Sequence, residues 1–151
     1  MPRTTRLLLL VLVTTALLAG PATPASASVS GRYERRVTQT TNEERTSRDL
    51  ARLRKSKCLD AYAERQARAM ARREQIYHQD LAPILKRCRL RLVGKNVAVG
   101  YRTGAATTAA WMDSPGHRRN LLHPTYRRIG VGAYRGEDGR WYVAQVLGRR
   151  R

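Results

Sequence analysis

No phenylalanine occurs among the 151 residues, only two cysteines do, and acidic groups number 11 against 30 Lys and Arg. Eleven glycines and six prolines without a repeat exclude a collagen-like or proline-rich chain. A composition 42% hydrophobic and 27% charged excludes a disordered polyelectrolyte. The length allows one domain rather than two. Long apolar stretches are missing as well: the one uninterrupted run, Leu7 to Gly20, is too short for a spanning helix. What remains is positive charge. The formal value of +19 comes from 26 Arg and four Lys, a ratio that a GC-rich genome also produces, so it bears on partners without naming one.

Residues 1–27 read as a signal peptide. Arg3 and Arg6 form the positive region, Leu7–Leu18 the apolar one, and Ala25-Ser26-Ala27 the small residues at a cleavage site. Pro21, not Cys, follows Gly20, which argues against a lipoprotein. Cleavage after Ala27 would leave 124 residues carrying +17. Export changes the meaning of Cys58 and Cys88. An isolated pair in an oxidising compartment is expected to form a disulfide, and closing a loop of about 31 residues is worth roughly 3–4 kcal/mol.

Residues 28–40 lack a clear period and are expected to be a basic, mobile segment. Thr41 and Glu44 have capping-box spacing, which predicts a first helix carrying Leu50 and Leu53. Ser56 is placed to start a second helix through about Glu74, with Leu59, Tyr62, Ala63, Gln66 and Met70 as its buried stripe. Asp80 is placed to start a short third helix with Leu81, Ile84 and Leu85. Leu92–Tyr101 suggests a short strand, Ala105–Met112 a helix, and Ser114-Pro115 another helix start. Ile129, Val131 and Ala133 alternate, and so, less cleanly, do Trp141, Val143 and Gln145. Gly136-Glu137-Asp138-Gly139 between them predicts a hairpin. Helices first and strands last give an α+β class.

Several segments, taken in order, carry a resemblance. They are Asn42-Glu43-Glu44-Arg45, Tyr77-His78-Gln79-Asp80, Gly94-Lys95-Asn96-Val97-Ala98, Trp111-Met112-Asp113-Ser114-Pro115-Gly116-His117-Arg118-Arg119-Asn120-Leu121-Leu122 and Ile129-Gly130-Val131-Gly132. Together they resemble the bacterial branch of the CAP superfamily, the cysteine-rich secretory, antigen-5 and pathogenesis-related (SCP-like) domain, over residues 41–148. The resemblance implies an α-β-α sandwich, helices flanking a small antiparallel sheet, with a cleft where two histidines meet acidic residues. His78 and His117 match the cleft histidines, with Lys95 and Asn96 beside them. Lys95 stands where the family places a glutamate. Some members hold a divalent metal through the histidines, so the resemblance implies zinc at His78 and His117, opposed here by the Lys95 charge. His117 and His123 are six residues apart, about 240° around a helix, and do not chelate from one face.

Two functional classes follow. The first is a secreted binding module at or beyond the envelope, monomeric and without a cofactor. Its basic patch, comprising Arg118, Arg119, Arg127, Arg128 and a tail of Arg149, Arg150 and Arg151 (residues 149–151), would meet anionic wall polymers or acidic lipids. No nucleic-acid-binding signature accompanies the charge, so sequence-specific DNA or RNA is not expected. The second is a metal-dependent or histidine-based hydrolase outside the cell. The missing glutamate weighs against it, and Ser114 is better explained as a helix cap than as a nucleophile.

Overall fold

The computed structural model describes residues 24–151, so the leader assigned to residues 1–27 lies almost wholly outside the described residues. In chain order the elements are α1 (Pro24–Thr46), β1 (Arg54–Lys55), α2 (Lys57–Arg73), α3 (Ala82–Arg87), β2 (Leu90–Val99), α4 (Gly104–Asp113), α5 (Pro115–Leu121), β3 (Arg128–Arg135) and β4 (Trp141–Arg150). The strands form one sheet in the order β1-β3-β4-β2. β4 pairs antiparallel with both β3 and β2, and the short β1 adds a parallel pair to β3. The sheet is therefore mixed, with an antiparallel centre.

β4 explains why helices lie on both faces. Tyr142 through Gly148 are all buried, so neither side of this strand can face water. Tyr142, Ala144 and Val146 pack with Leu59, Ala63, Ala67 and Met70 of α2 and Ile84 of α3. Val143 and Leu147 pack the other way, with Val37 of α1, Trp111 of α4 and Leu121 of α5. The α-β-α sandwich follows from a period of two on a strand that is apolar on both faces except at Gln145 and its terminal arginines.

α2 can approach the sheet because Gly130 and Gly132 of β3 lie beneath it. A Cβ on Gly130 would stand 2.1 Å from the carbonyl carbon of Leu59, and one on Gly132 2.3 Å from the amide nitrogen of Glu64. Helix backbone fills the space that side chains would need.

The first helix departs from expectation. Residues 28–40 are not a mobile segment but the middle of α1, and Thr41 is not an N-cap: the helix already runs through it and ends at Thr46. Leu50 and Leu53 fall outside any helix. The buried face of α1 has only two large apolar side chains, Tyr33 and Val37, continued by Thr40, Thr41 and Arg45. A face so polar has no apolar period to detect. Thr38, Thr40 and Thr46 return their hydroxyls to the carbonyls of Glu34, Arg36 and Asn42, which accommodates threonine inside a helix. Asp49, at φ 57°, turns the chain back. Asn42 then fixes the return, donating to the Leu53 carbonyl at 3.1 Å and accepting from its amide at 2.7 Å.

The predicted C-terminal tail is also corrected. Arg149 and Arg150 are the last two residues of β4, and Arg151 donates its amide to the Arg89 carbonyl at 3.3 Å. Ladder bonds with β2 extend the strand through the arginines. Ser56 precedes α2 and Ser114 precedes α5 as expected, although neither hydroxyl makes a capping bond.

Cys58, in the first turn of α2, is joined to Cys88 at the end of α3, with Cα atoms 5.8 Å apart and a sequence separation of 30. Reduction should lower the stability by about 3 kcal/mol on loop-closure grounds. A reduced and alkylated sample melting at the temperature of the oxidised one would mean that α3 is held by its apolar contacts alone.

Candidate functional site

β2 is an edge strand that carries Lys95 and Asn96, and their side chains donate to the backbone of the segments that carry His78 and His117, at the Gln79 and His117 carbonyls. Lys95 and Asn96 are neighbours on β2 and so point to opposite faces. Asn96 points to the α1–α5 side, where it is fully buried and satisfied. Its amide donates to Gln145 Oε1 at 3.0 Å, and Asn120 Nδ2 donates to Asn96 Oδ1 at 3.0 Å and to the Lys95 carbonyl at 2.9 Å. Gln145 Nε2 in turn donates to Thr41 Oγ1 at 3.0 Å. A buried polar chain thus links α1, β4, β2 and α5. It holds α5, and with it His117, against the sheet edge.

Lys95 points to the other face, where its ammonium donates to the Gln79 carbonyl. Gln66, buried on α2, donates to the neighbouring Tyr77 carbonyl at 2.7 Å. These two bonds pin the segment that carries His78. Burial lowers the His78 pKa and the Lys95 charge lowers it further; burial also lowers that of His117, with His78 adding to the effect. Lys95 is itself lowered by burial, against the opposing pull of Asp80. Both imidazoles are therefore held towards the neutral form, chiefly by burial and secondarily by neighbouring positive charge.

Neutral imidazoles are what a metal needs, but two of them are not enough. A divalent cation also requires carboxylate or water ligands and no neighbouring ammonium. At a separation of about 5 Å and an effective dielectric near 20, Lys95 would oppose such an ion by several kcal/mol. Among the described residues no group of three or more His, Cys, Asp or Glu side chains is arranged to hold one. The donor set does not fit the metal that the resemblance implied for His78 and His117. His123 lies apart, accepting from the Thr125 amide at 3.2 Å and stacking on Tyr126.

Of the basic patch, Arg127, Arg128, Arg149, Arg150 and Arg151 line a common groove at one end of the sheet. Arg118 and Arg119, on α5, are not part of its lining. Arg52, Arg54 and Arg91 are, though sequence reasoning did not include them. Also missed were the supporting roles of buried Thr41 and Gln145 and of half-buried Asn120, whereas Gln66 lies in the buried stripe expected for the second helix. Gln145 had left one visible signal, a polar residue interrupting the apolar alternation of β4.

The sequence pattern of the cysteine-rich secretory protein family matches residues 38–147, most of the chain and nearly all of the sandwich. The chain belongs to that family. The protein YkwD of Bacillus subtilis is 32% identical over 142 residues, covering 89% of this chain and 54% of that protein. Among solved structures, an extracellular protein containing a SCP domain from Bacillus anthracis superposes with a TM-score of 0.76 at 25% identity. It covers 87% of this chain and 45% of its own. An outer surface protein of Borrelia burgdorferi shares the fold at 19% identity and a TM-score of 0.70, covering 87% of this chain and 97% of its own. This chain thus spans about half the length of the two Bacillus relatives.

Proposed function

We propose that this member of the cysteine-rich secretory protein family is an extracellular or envelope-associated binding module, held to anionic material by its basic surface, and not a hydrolase. Placement outside the cell is supported by the names of its relatives, an extracellular protein and an outer surface protein, and by the leader-like residues 1–27. The observation that carries the reading is Lys95. One route to hydrolysis here is a metal-activated water, and Lys95 places an ammonium, donating to the Gln79 carbonyl, where it would repel the metal ion. What the protein offers to a partner is positive charge, which attracts polyanions and weakens with salt.

Two measurements test this. Attachment to phosphatidylglycerol-containing vesicles should be strong at low salt and largely lost by about 0.5 M, where the Debye length is near 4 Å. Equal, salt-independent attachment to zwitterionic vesicles would reject the electrostatic reading. Lys95→Glu should raise zinc affinity at least tenfold by calorimetry, since it adds a ligand and removes a repelling charge. An unchanged affinity would show that Lys95 is not what keeps a metal from the cleft.

A further inference from the structure

At one end of the sheet each of the four strands carries arginine as its first, second or last residue. Arg54 opens β1 and pairs in register with Arg128, which opens β3. Arg128 lies opposite Gly148 of β4, one residue before Arg149, and Arg149 and Arg150 pair with the first residues of β2, beside Arg91. Parallel and antiparallel directions combine so that the start of β1, β2 and β3 and the end of β4 share one edge. With strands about 4.8 Å apart, this places a row of guanidinium groups across roughly 14 Å.

The row lines a groove of about 1090 Å³. Eight of its ten lining residues are arginine, the other two are Ala51 and Leu53, and no acidic residue is among them. A second trough of about 1330 Å³ shares Arg91, Arg150 and Arg151 and continues past Lys86, Arg87 and Arg89 towards the disulfide. None of these side chains takes part in an ion pair among the described residues. So many like charges at one sheet end repel one another. Buried behind the same edge, the Arg45 guanidinium adds a further positive charge, and its pKa is lowered by burial and further by Arg127.

We infer that this groove is a binding site for a linear polymer bearing phosphate at every repeat, laid across the four strand ends with its phosphates paired to Arg54, Arg91, Arg128, Arg149 and Arg150. The inference rests on the reading of the protein as an anion-binding module and gives that reading a defined site. Guanidinium groups bind phosphate through two parallel hydrogen bonds, and a row of them matches a repeating anion better than a single one. A chain fits a concave track, whereas a flat lipid surface would meet only its rims. The lining also offers almost no apolar side chain to insert among acyl chains.

The test compares two triple variants that remove the same charge. Arg54→Ala/Arg91→Ala/Arg150→Ala removes three exposed groove side chains, and Arg32→Ala/Arg35→Ala/Arg36→Ala removes three exposed on α1. The probe is long-chain inorganic polyphosphate, titrated against the whole protein at fixed salt, with thermal melting to establish that both variants fold. If each arginine–phosphate contact is worth about tenfold, the groove variant should bind about a hundredfold or more weakly, and the α1 variant within about threefold of wild type. Orthophosphate should bind poorly to all three proteins. Equal losses in the two variants would overturn the groove while leaving charge-driven attachment intact. A loss on phosphatidylglycerol vesicles as large as that on polyphosphate would assign the arginines to a lipid surface instead. Wild-type protein that binds neither polyphosphate nor anionic vesicles would overturn both readings.

Discussion

Gly132→Ala is expected to destabilise the protein by about 3 kcal/mol or more, a large effect for one methyl group. The added carbon would sit 2.3 Å from the Glu64 amide nitrogen and 2.4 Å from the Ala63 carbonyl carbon. Both are backbone atoms of α2, so no rotamer change relieves the clash. The helix must lift away from β3 along the seam that buries Leu59, Ala63, Ala67 and Met70. Gly116→Ala is the control. Its Cβ would find only the end of the Arg119 side chain at 3.9 Å, in the first turn of α5. It should be neutral or gain up to about 1 kcal/mol from helix propensity. Urea unfolding of the two variants decides. A Gly132→Ala protein within 1 kcal/mol of wild type would show that α2 slides on the sheet at little cost. The consequence would reach the cleft, because Gln66 of α2 holds the segment that carries His78.

Arg45→Met should cost about 3 kcal/mol or more, although methionine replaces the side chain with one of similar length. Arg45 has no exposed surface. Its guanidinium donates to the carbonyls of Ala51 at 3.0 Å, Leu121 at 2.6 Å, His123 at 3.1 Å and Tyr126 at 3.4 Å. No carboxylate is among its partners, so the charge is stabilised by carbonyl dipoles alone. Methionine would leave those acceptors without the donors that now satisfy them, and it would untie the chain between α5 and β3. Arg45→Lys should fall between, since an ammonium cannot span four carbonyls with the geometry of a planar fork. The measurement is denaturant unfolding together with amide exchange over residues 121–127. Faster exchange confined to that stretch is the expected signature. An Arg45→Met protein as stable as wild type, with unchanged exchange, would show that water takes over the carbonyls at no cost. The same stretch leads into Arg127 and Arg128, so the variant should also loosen the arginine groove.

Much of the fold was legible from local pattern. α2 has a stripe recurring every three to four residues, and its observed bounds, Lys57–Arg73, lie within a residue of those expected. The hairpin of β3 and β4 followed from alternating apolar residues around Gly136-Glu137-Asp138-Gly139, where Gly139 takes φ 75°. α1 was misread because its buried face is built from threonine, asparagine and arginine. Such residues become core only when partners such as Leu53, Thr108 and the Leu121 carbonyl arrive from elsewhere in the chain.

The candidate sites divide along the same line. By itself the sequence determined the family, the pairing available to its only two cysteines, and the lysine at position 95, because each depends on which residue stands at a position. Only the tertiary structure decided where Lys95 spends its hydrogen bond and that Asn96 is anchored through Gln145 to Thr41, 104 residues away from it in the chain. It alone decided, too, that Arg54, Arg91, Arg128 and Arg149 line one groove. Those arginines lie at four separate places in the sequence, and nothing local marks them as a set. Strand order and register bring them together, and these are set by burial of apolar residues on both faces of β4, a property of the packed sheet and not of any one segment.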